Sequence, residues 1–157
     1  METKINEKRI AALNDLIRIN NDRYDGYNTA AKESKHGDLD SIFLDYAQKS
    51  RGYATKLSQY VREAGGTPEE GTTTSGKFYR AWMDVKAALT GKDRKAILSS
   101  CEFGEDVALK TYDAVIETTD LNFPKEVLDT IFAQKSELKI AHDRIKELRD
   151  SEKEVEA

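Results

Sequence analysis

Apolar residues recur at spacings of three and four along most of this chain, and that rhythm predicts helices. From Ile5 to about Lys35 the stripe is Ile10, Leu13, Ile17, Tyr24, Tyr27 and Ala31, ending at Gly37, which reads as a left-handed residue closing the helix. Asp38 then reads as the N-cap of a second helix with Leu39, Phe43, Tyr46, Ser50, Tyr53, Ala54, Leu57 and Val61 on one face. Gly65-Gly66 followed by Thr67-Pro68 stops it. The short turn between the two makes them antiparallel neighbours.

Residues 67–75 (TPEEGTTTS) have no periodicity and read as a long crossover along the surface of a bundle. A short additional helix over 76–90 carries Phe78, Trp82, Val85 and Leu89 and ends at Gly91, with Asp93 placed to cap the next helix. It is expected to pack across the bundle, Trp82 anchoring it and Arg80 on its surface. The next stripe runs Ile97, Leu98, Cys101, Glu105, Ala108, Leu109, Tyr112, Val115 and Ile116. The last runs Val127, Ile131, Gln134, Leu138, Ala141, His142, Ile145 and Leu148, after a short link from Thr119 to Phe123, and the polar residues 151–157 are expected to fray. Two antiparallel pairs joined by one long connection form the chain plan of ferritin-like bundles. The expected fold is therefore an all-α, ferritin-like antiparallel four-helix bundle, one domain over residues 1–157.

Composition agrees with long solvated helices: charged residues make up 34% of the chain, against 2 Pro and 9 Gly. The net charge of -4, with Lys and Arg interspersed among Asp and Glu, leaves no basic excess for phosphates, so nucleic acid is excluded as a partner. A single cysteine, Cys101, cannot form an internal disulfide, and the charged start METKINEKRIAAL lacks the apolar core of a signal peptide. No run approaches the roughly 20 apolar residues needed to span a bilayer. These features point to a cytoplasmic protein with no membrane partner; the outer helix faces leave room for a homo-oligomer, and no protein partner can be named.

Two motifs invite chemistry and fail on context. Gly71 to Lys77 (GTTTSGK) has the spacing of a phosphate-binding loop, but Phe78 stands where a hydroxyl would hold magnesium, and a helix precedes the loop where a strand is required. Glu33-Ser34-Lys35-His36 is a Glu-x-x-His, yet Glu33 points away from the apolar stripe and His36 lies at the helix end.

The informative positions are polar residues on the core stripes, because a buried polar group must find a partner or cost a few kcal/mol. They are Asn20, Ser50, Glu105, Gln134 and His142, with Tyr53 and other stripe tyrosines bringing hydroxyls. Pairing the helices about their turns sets Asn20 near Ser50 and Tyr53, and Glu105 between Gln134 and His142, as one mid-bundle polar layer. A hydrogen-bonded network is the simplest reading. The alternative is a metal site of Glu102, Glu105 and His142, offering carboxylate and imidazole ligands to iron or another divalent ion. A complete two-metal centre needs four carboxylates and two histidines. Asn20, Ser50-x-x-Tyr53 and Gln134 occupy positions where that plan wants ligands, which argues against two-iron oxidase chemistry. Cys101, on the core face, reads as a small hydrophobe.

Four stretches taken together, LNDLI, GGTPEEGTTTSGKFYRAWMDVKAALTGKD, CEFGEDVALKTY and AHDRIKELRD, resemble the bacterial ferritin-like family known as domain of unknown function 2383. The resemblance runs from about Ile10 to Asp150 and implies a ferritin-like bundle with no assigned activity. It marks Glu102, Glu105, Asp106, His142 and Asp143 as recurring polar positions without giving them a role. The expected function is a non-enzymatic or degenerate bundle, a stress-related or accessory cytoplasmic protein that needs no cofactor. The competing expectation is a divalent-metal binding or storage protein centred on Glu105 and His142.

Overall fold

The computed structural model describes residues 2–34, 36–72 and 94–156, and the side chains of these apart from Glu2, Glu33 and residues 153–156. Among the described residues there are four helices and no strand: α1 (Glu2–Glu33), α2 (Gly37–Glu63), α3 (Arg94–Glu117) and α4 (Lys125–Glu156), with a 3-10 turn at Thr119–Leu121 before α4. The protein is thus all-α. The whole of the expected short helix over 76–90, Arg80 and Trp82 included, the near-match to a phosphate loop beyond Thr72, and Asp93 lie outside the described residues.

Side-chain bonds fix how the helices run. Asn6 at the start of α1 donates to the Ala64 carbonyl just past α2 (2.8 Å), so these two are antiparallel. Arg9 donates to the carbonyls of Leu121 (2.5 Å) and Asn122 (2.8 Å), tying the start of α1 to the end of α3. Tyr60 and Thr130 share a hydrogen bond of 2.8 Å between α2 and α4. At the opposite end Arg94 reaches both Asp38 and Glu152, bringing the starts of α2 and α3 together with the end of α4. Every neighbouring pair is antiparallel, and α2 and α3 run the same way.

Most of the core lies on the predicted stripes; on α1 Leu16 and Ile19, which the predicted stripe leaves out, are fully buried, while Ile10, Tyr24 and Ala31 are only partly so. Leu13, Leu16, Ile17 and Tyr27 of α1 meet Leu39, Phe43, Leu57 and Val61 of α2, Ile97, Leu98, Ala108 and Tyr112 of α3, and Ile131, Leu138 and Ile145 of α4, all buried. Each large apolar side chain among them contributes about 1.5–3 kcal/mol relative to exposure. That burial, more than helix propensity, holds the elements in place.

The end of α2 follows the expectation in detail. Gly65 takes a left-handed φ of 87°, and the Gly65 and Gly66 N–H groups donate back to the carbonyls of Arg62 and Val61 (2.9 Å each), closing the helix in a Schellman turn. At Gly66 a Cβ would lie 2.8 Å from Cγ2 of Ile10, so a side chain there would force Ile10 to shift. The chain then runs along α1: Asn14 donates to the Thr67 carbonyl (3.2 Å) and accepts from the Glu69 N–H (2.9 Å), Arg18 meets Glu69, and Asn21 donates to the Gly71 carbonyl (2.9 Å). The turn between α1 and α2 corrects the expectation. Gly37 is the first residue of α2, not a left-handed stop, and His36 occupies the cap position with an extended backbone. The Ser34 hydroxyl holds this turn by bonding the Asp40 carboxylate and accepting the His36 N–H, which frees Asp38 to face Arg94. The polar end from Ser151 continues α4 through Glu156, and Glu152 pairs with Arg94.

Candidate functional site

A second stripe on α1, turned slightly from the apolar one, runs Leu16, Asn20, Arg23, Tyr27 and Ala30, and every member is buried. It delivers two polar residues into the centre of the bundle one helical turn apart, and each organises its own tier.

In the first tier Asn20 Nδ2 donates to the Tyr112 hydroxyl (2.7 Å) and to its own Leu16 carbonyl (2.9 Å). The Tyr112 hydroxyl in turn donates to Gln134 Oε1 (2.7 Å), and Gln134 Nε2 reaches the Tyr53 carbonyl at 3.5 Å. The chain of bonds links all four helices. Burial pushes the Tyr112 phenol above its ordinary pKa, so it stays a neutral donor. Tyr53 itself is half-buried, its phenol raised by burial and by the neighbouring Glu137 carboxylate.

In the second tier the Arg23 guanidinium grips Glu105 with two parallel bonds, Nε to Oε1 at 2.5 Å and Nη2 to Oε2 at 2.9 Å, while Nη1 donates to the Ser50 hydroxyl. Its Cζ also lies 5.4 Å from the centroid of the Tyr27 ring, which packs against Phe43 and edge-on against Tyr46. Burial by itself would lower the Arg23 pKa, but the charge and hydrogen bonds of Glu105 outweigh it and hold the guanidinium above its ordinary value. The pair is a fully internal, bidentate salt bridge of the kind that needs good geometry to offset desolvation. Cys101, one turn before Glu105, is buried, and both its burial and the Glu105 charge push its thiol up, so it remains an inert thiol.

A cleft of about 170 Å³ between α2 and α4 leads toward this tier, with Arg23 at its inner end, Tyr46 and Tyr53 on its sides, and Glu137 and Arg144 at its mouth.

The candidate metal ligands go to three different partners. Glu105 is held by Arg23, and Glu102 accepts from Nη1 of Arg149 (2.8 Å to Oε2). His142 sits between Asp106 (Nε2 to Oδ1, 2.7 Å) and Asp143 (Nδ1 to Oδ1, 3.0 Å) on the α3–α4 side of the bundle. Among the described residues no three His, Cys, Asp or Glu side chains converge as a metal site. Asn20, Ser50 and Gln134 are buried as the stripes require, but in two tiers: Asn20 with Gln134, Ser50 with Glu105. Arg23, which organises the second tier, is absent from the polar positions that the stripes single out, although its spacing from Asn20 and Tyr27 places it on the same face.

No helix among the described residues is long and apolar enough to cross a membrane. Residues 8–118 match the family described as a domain of unknown function (DUF2383), which covers most of the chain. No curated protein matches it.

The chain belongs to the DUF2383 family.

Proposed function

We propose that this DUF2383 protein is a ferritin-like bundle in which an internal arginine stands where that plan would hold metal, and that it is a non-enzymatic, cytoplasmic accessory protein acting through its outer faces. The ferritin-like reading is supported by the chain path. The connection leaves α2 at the end where α1 begins and re-enters at Arg94 at the other end, so a single long crossover joins two antiparallel pairs.

The observation that carries the functional reading is the Arg23–Glu105 pair. A carboxylate binds a metal through its lone pairs, and here both Glu105 oxygens already accept from one guanidinium. The arginine also supplies the positive charge that a metal would bring to a carboxylate layer. Recruiting a metal to Glu102, Glu105 and His142 would break two ion pairs and the His142–Asp106 contact at once, so the residues present do not fit a metal centre.

Elemental analysis of protein purified from iron- and zinc-supplemented cells tests this. The expected result is far less than one metal per chain in both the wild type and Glu105→Ala. One or more equivalents in the wild type, lost in Glu105→Ala, would overturn the reading in favour of a metal-binding protein.

A further inference from the structure

Near the start of α1, the seam between α1 and α3 opens into a groove of about 460 Å³. Ile19, Val115 and Leu121 form its buried floor, and the small side chains of Ala11, Ala12 and Ala114 line its walls. Higher up, the same two helices are joined by the Asn20–Tyr112 and Arg23–Glu105 bonds, so the groove lies where the interior polar contacts stop. Two exposed charges of opposite sign stand on its α1 rim, Lys8 and Asp15.

Their placement is self-complementary. Lys8 and Asp15 lie two helical turns apart on one side of α1, and the midpoint between them falls between Ala11 and Ala12. A second α1 laid antiparallel across that midpoint sets each Lys8 against the Asp15 of the other copy, twice over, about one two-fold axis. Alanines at the crossing let the helix axes approach toward the short end of the usual range of about 8–10 Å. Asp15 Oδ1 already accepts from Arg18 of its own chain (2.7 Å), which leaves Oδ2 for the partner's ammonium. Such an isologous contact closes on itself as a dimer.

We propose that this groove is the surface through which two copies of the chain pair, antiparallel about α1, with reciprocal Lys8–Asp15 contacts across the axis. The proposal rests on the reading of a protein that acts through its outside, and it names the partner as a second copy.

Light scattering and sedimentation of the full chain test it, with circular dichroism to confirm helicity of each variant. The wild type is expected to dimerise. Lys8→Glu and Asp15→Lys, both at exposed positions, each place like charges in both contacts and should weaken dimerisation by about tenfold or more. An equal mixture of the two variants should form a heterodimer. In it the carboxylate introduced at position 8 of one copy faces the ammonium introduced at position 15 of the other, and the unaltered Asp15 and Lys8 face each other. The double variant Lys8→Glu/Asp15→Lys should regain self-association. A wild type that stays monomeric at high concentration, as it would if the chain's own segment or an unrelated ligand filled the groove, overturns the proposal. So does a dimer indifferent to the charge changes, or single variants that weaken but fail to rescue each other. Dimer failure would leave the closed Arg23–Glu105 interior untouched, whereas metal bound at Glu105 would sink that reading without moving the dimer.

Discussion

Two arginines in this protein each grip a carboxylate with two bonds, Arg23 through Nε and Nη2 and Arg94 through Nη1 and Nη2, in opposite surroundings. Arg23 and Glu105 have side chains 2% and 0% exposed, in the middle of the bundle; Arg94 and Asp38, at its end, are 24% and 64% exposed. Arg94 adds a bond to Glu152, as Arg23 adds one to Ser50. Water competes for every donor and acceptor of the outer pair and screens its charge, so losing one partner there simply returns the other to solvent. The inner pair has no such fallback. Its net contribution is small, because desolvation offsets most of the attraction, yet removal of one member strands a charge in the core. The same contact therefore fastens a helix end in one place and dictates the composition of the interior in the other.

The largest effect is expected from Glu105→Ala. It leaves the Arg23 guanidinium buried without its anion, and urea denaturation should show a loss of about 3–5 kcal/mol. The double replacement Arg23→Met/Glu105→Leu, which removes both charges and keeps most of the volume, should be more stable than Glu105→Ala alone. If Glu105→Ala costs less than about 1 kcal/mol, water reaches Arg23 through the α2–α4 cleft and the contrast between the two pairs disappears.

An intermediate effect is expected in the neighbouring uncharged tier. Tyr112→Phe removes one hydroxyl that both accepts from Asn20 and donates to Gln134, leaving two buried amides each short of a partner. The expected cost by thermal or urea unfolding is about 1–3 kcal/mol. A value as large as that of Glu105→Ala would mean the two tiers act as one network.

How much of this is legible in the sequence depends on what periodicity can encode. The three-and-four spacing of Leu39, Phe43, Leu57 and Val61, and of their counterparts, predicts helices and their inward faces, because burial of a stripe is what the spacing is for. Gly65-Gly66 is legible as a stop because glycine suits the left-handed turn that Gly65 takes. Polar residues on the stripes, Asn20, Ser50, Glu105 and Gln134, are legible as interior. Arg23 is not: a long cation ordinarily reads as solvated, and its burial depends on Glu105, more than eighty residues away in sequence. The split into two tiers depends on how far each helix slides along its neighbour, which loop lengths constrain only loosely. Gly37 differs from its expected role because Ser34 and Asp40, not a left-handed glycine, hold the turn. His142 lies at the edge of its stripe, where a small rotation of α4 decides between core and rim, and it meets Asp106 at the rim.

The smallest effect belongs to the outer pair, and pH resolves it. The hydrogen bonds from Arg94 hold the Asp38 carboxyl down to about 2, below the ordinary 3.8. A carboxylate whose folded pKa is depressed adds stability above its unfolded pKa and loses it as pH falls toward the folded value. Arg94→Ala should therefore destabilise the bundle at pH 6 by no more than about 1 kcal/mol, since Asp38 is largely exposed and its charge is screened. The gap between wild type and variant should narrow below about pH 4 and close near pH 2. Carboxyl NMR titration should place Asp38 near 2 in the wild type and return it to the ordinary carboxylate range in Arg94→Ala.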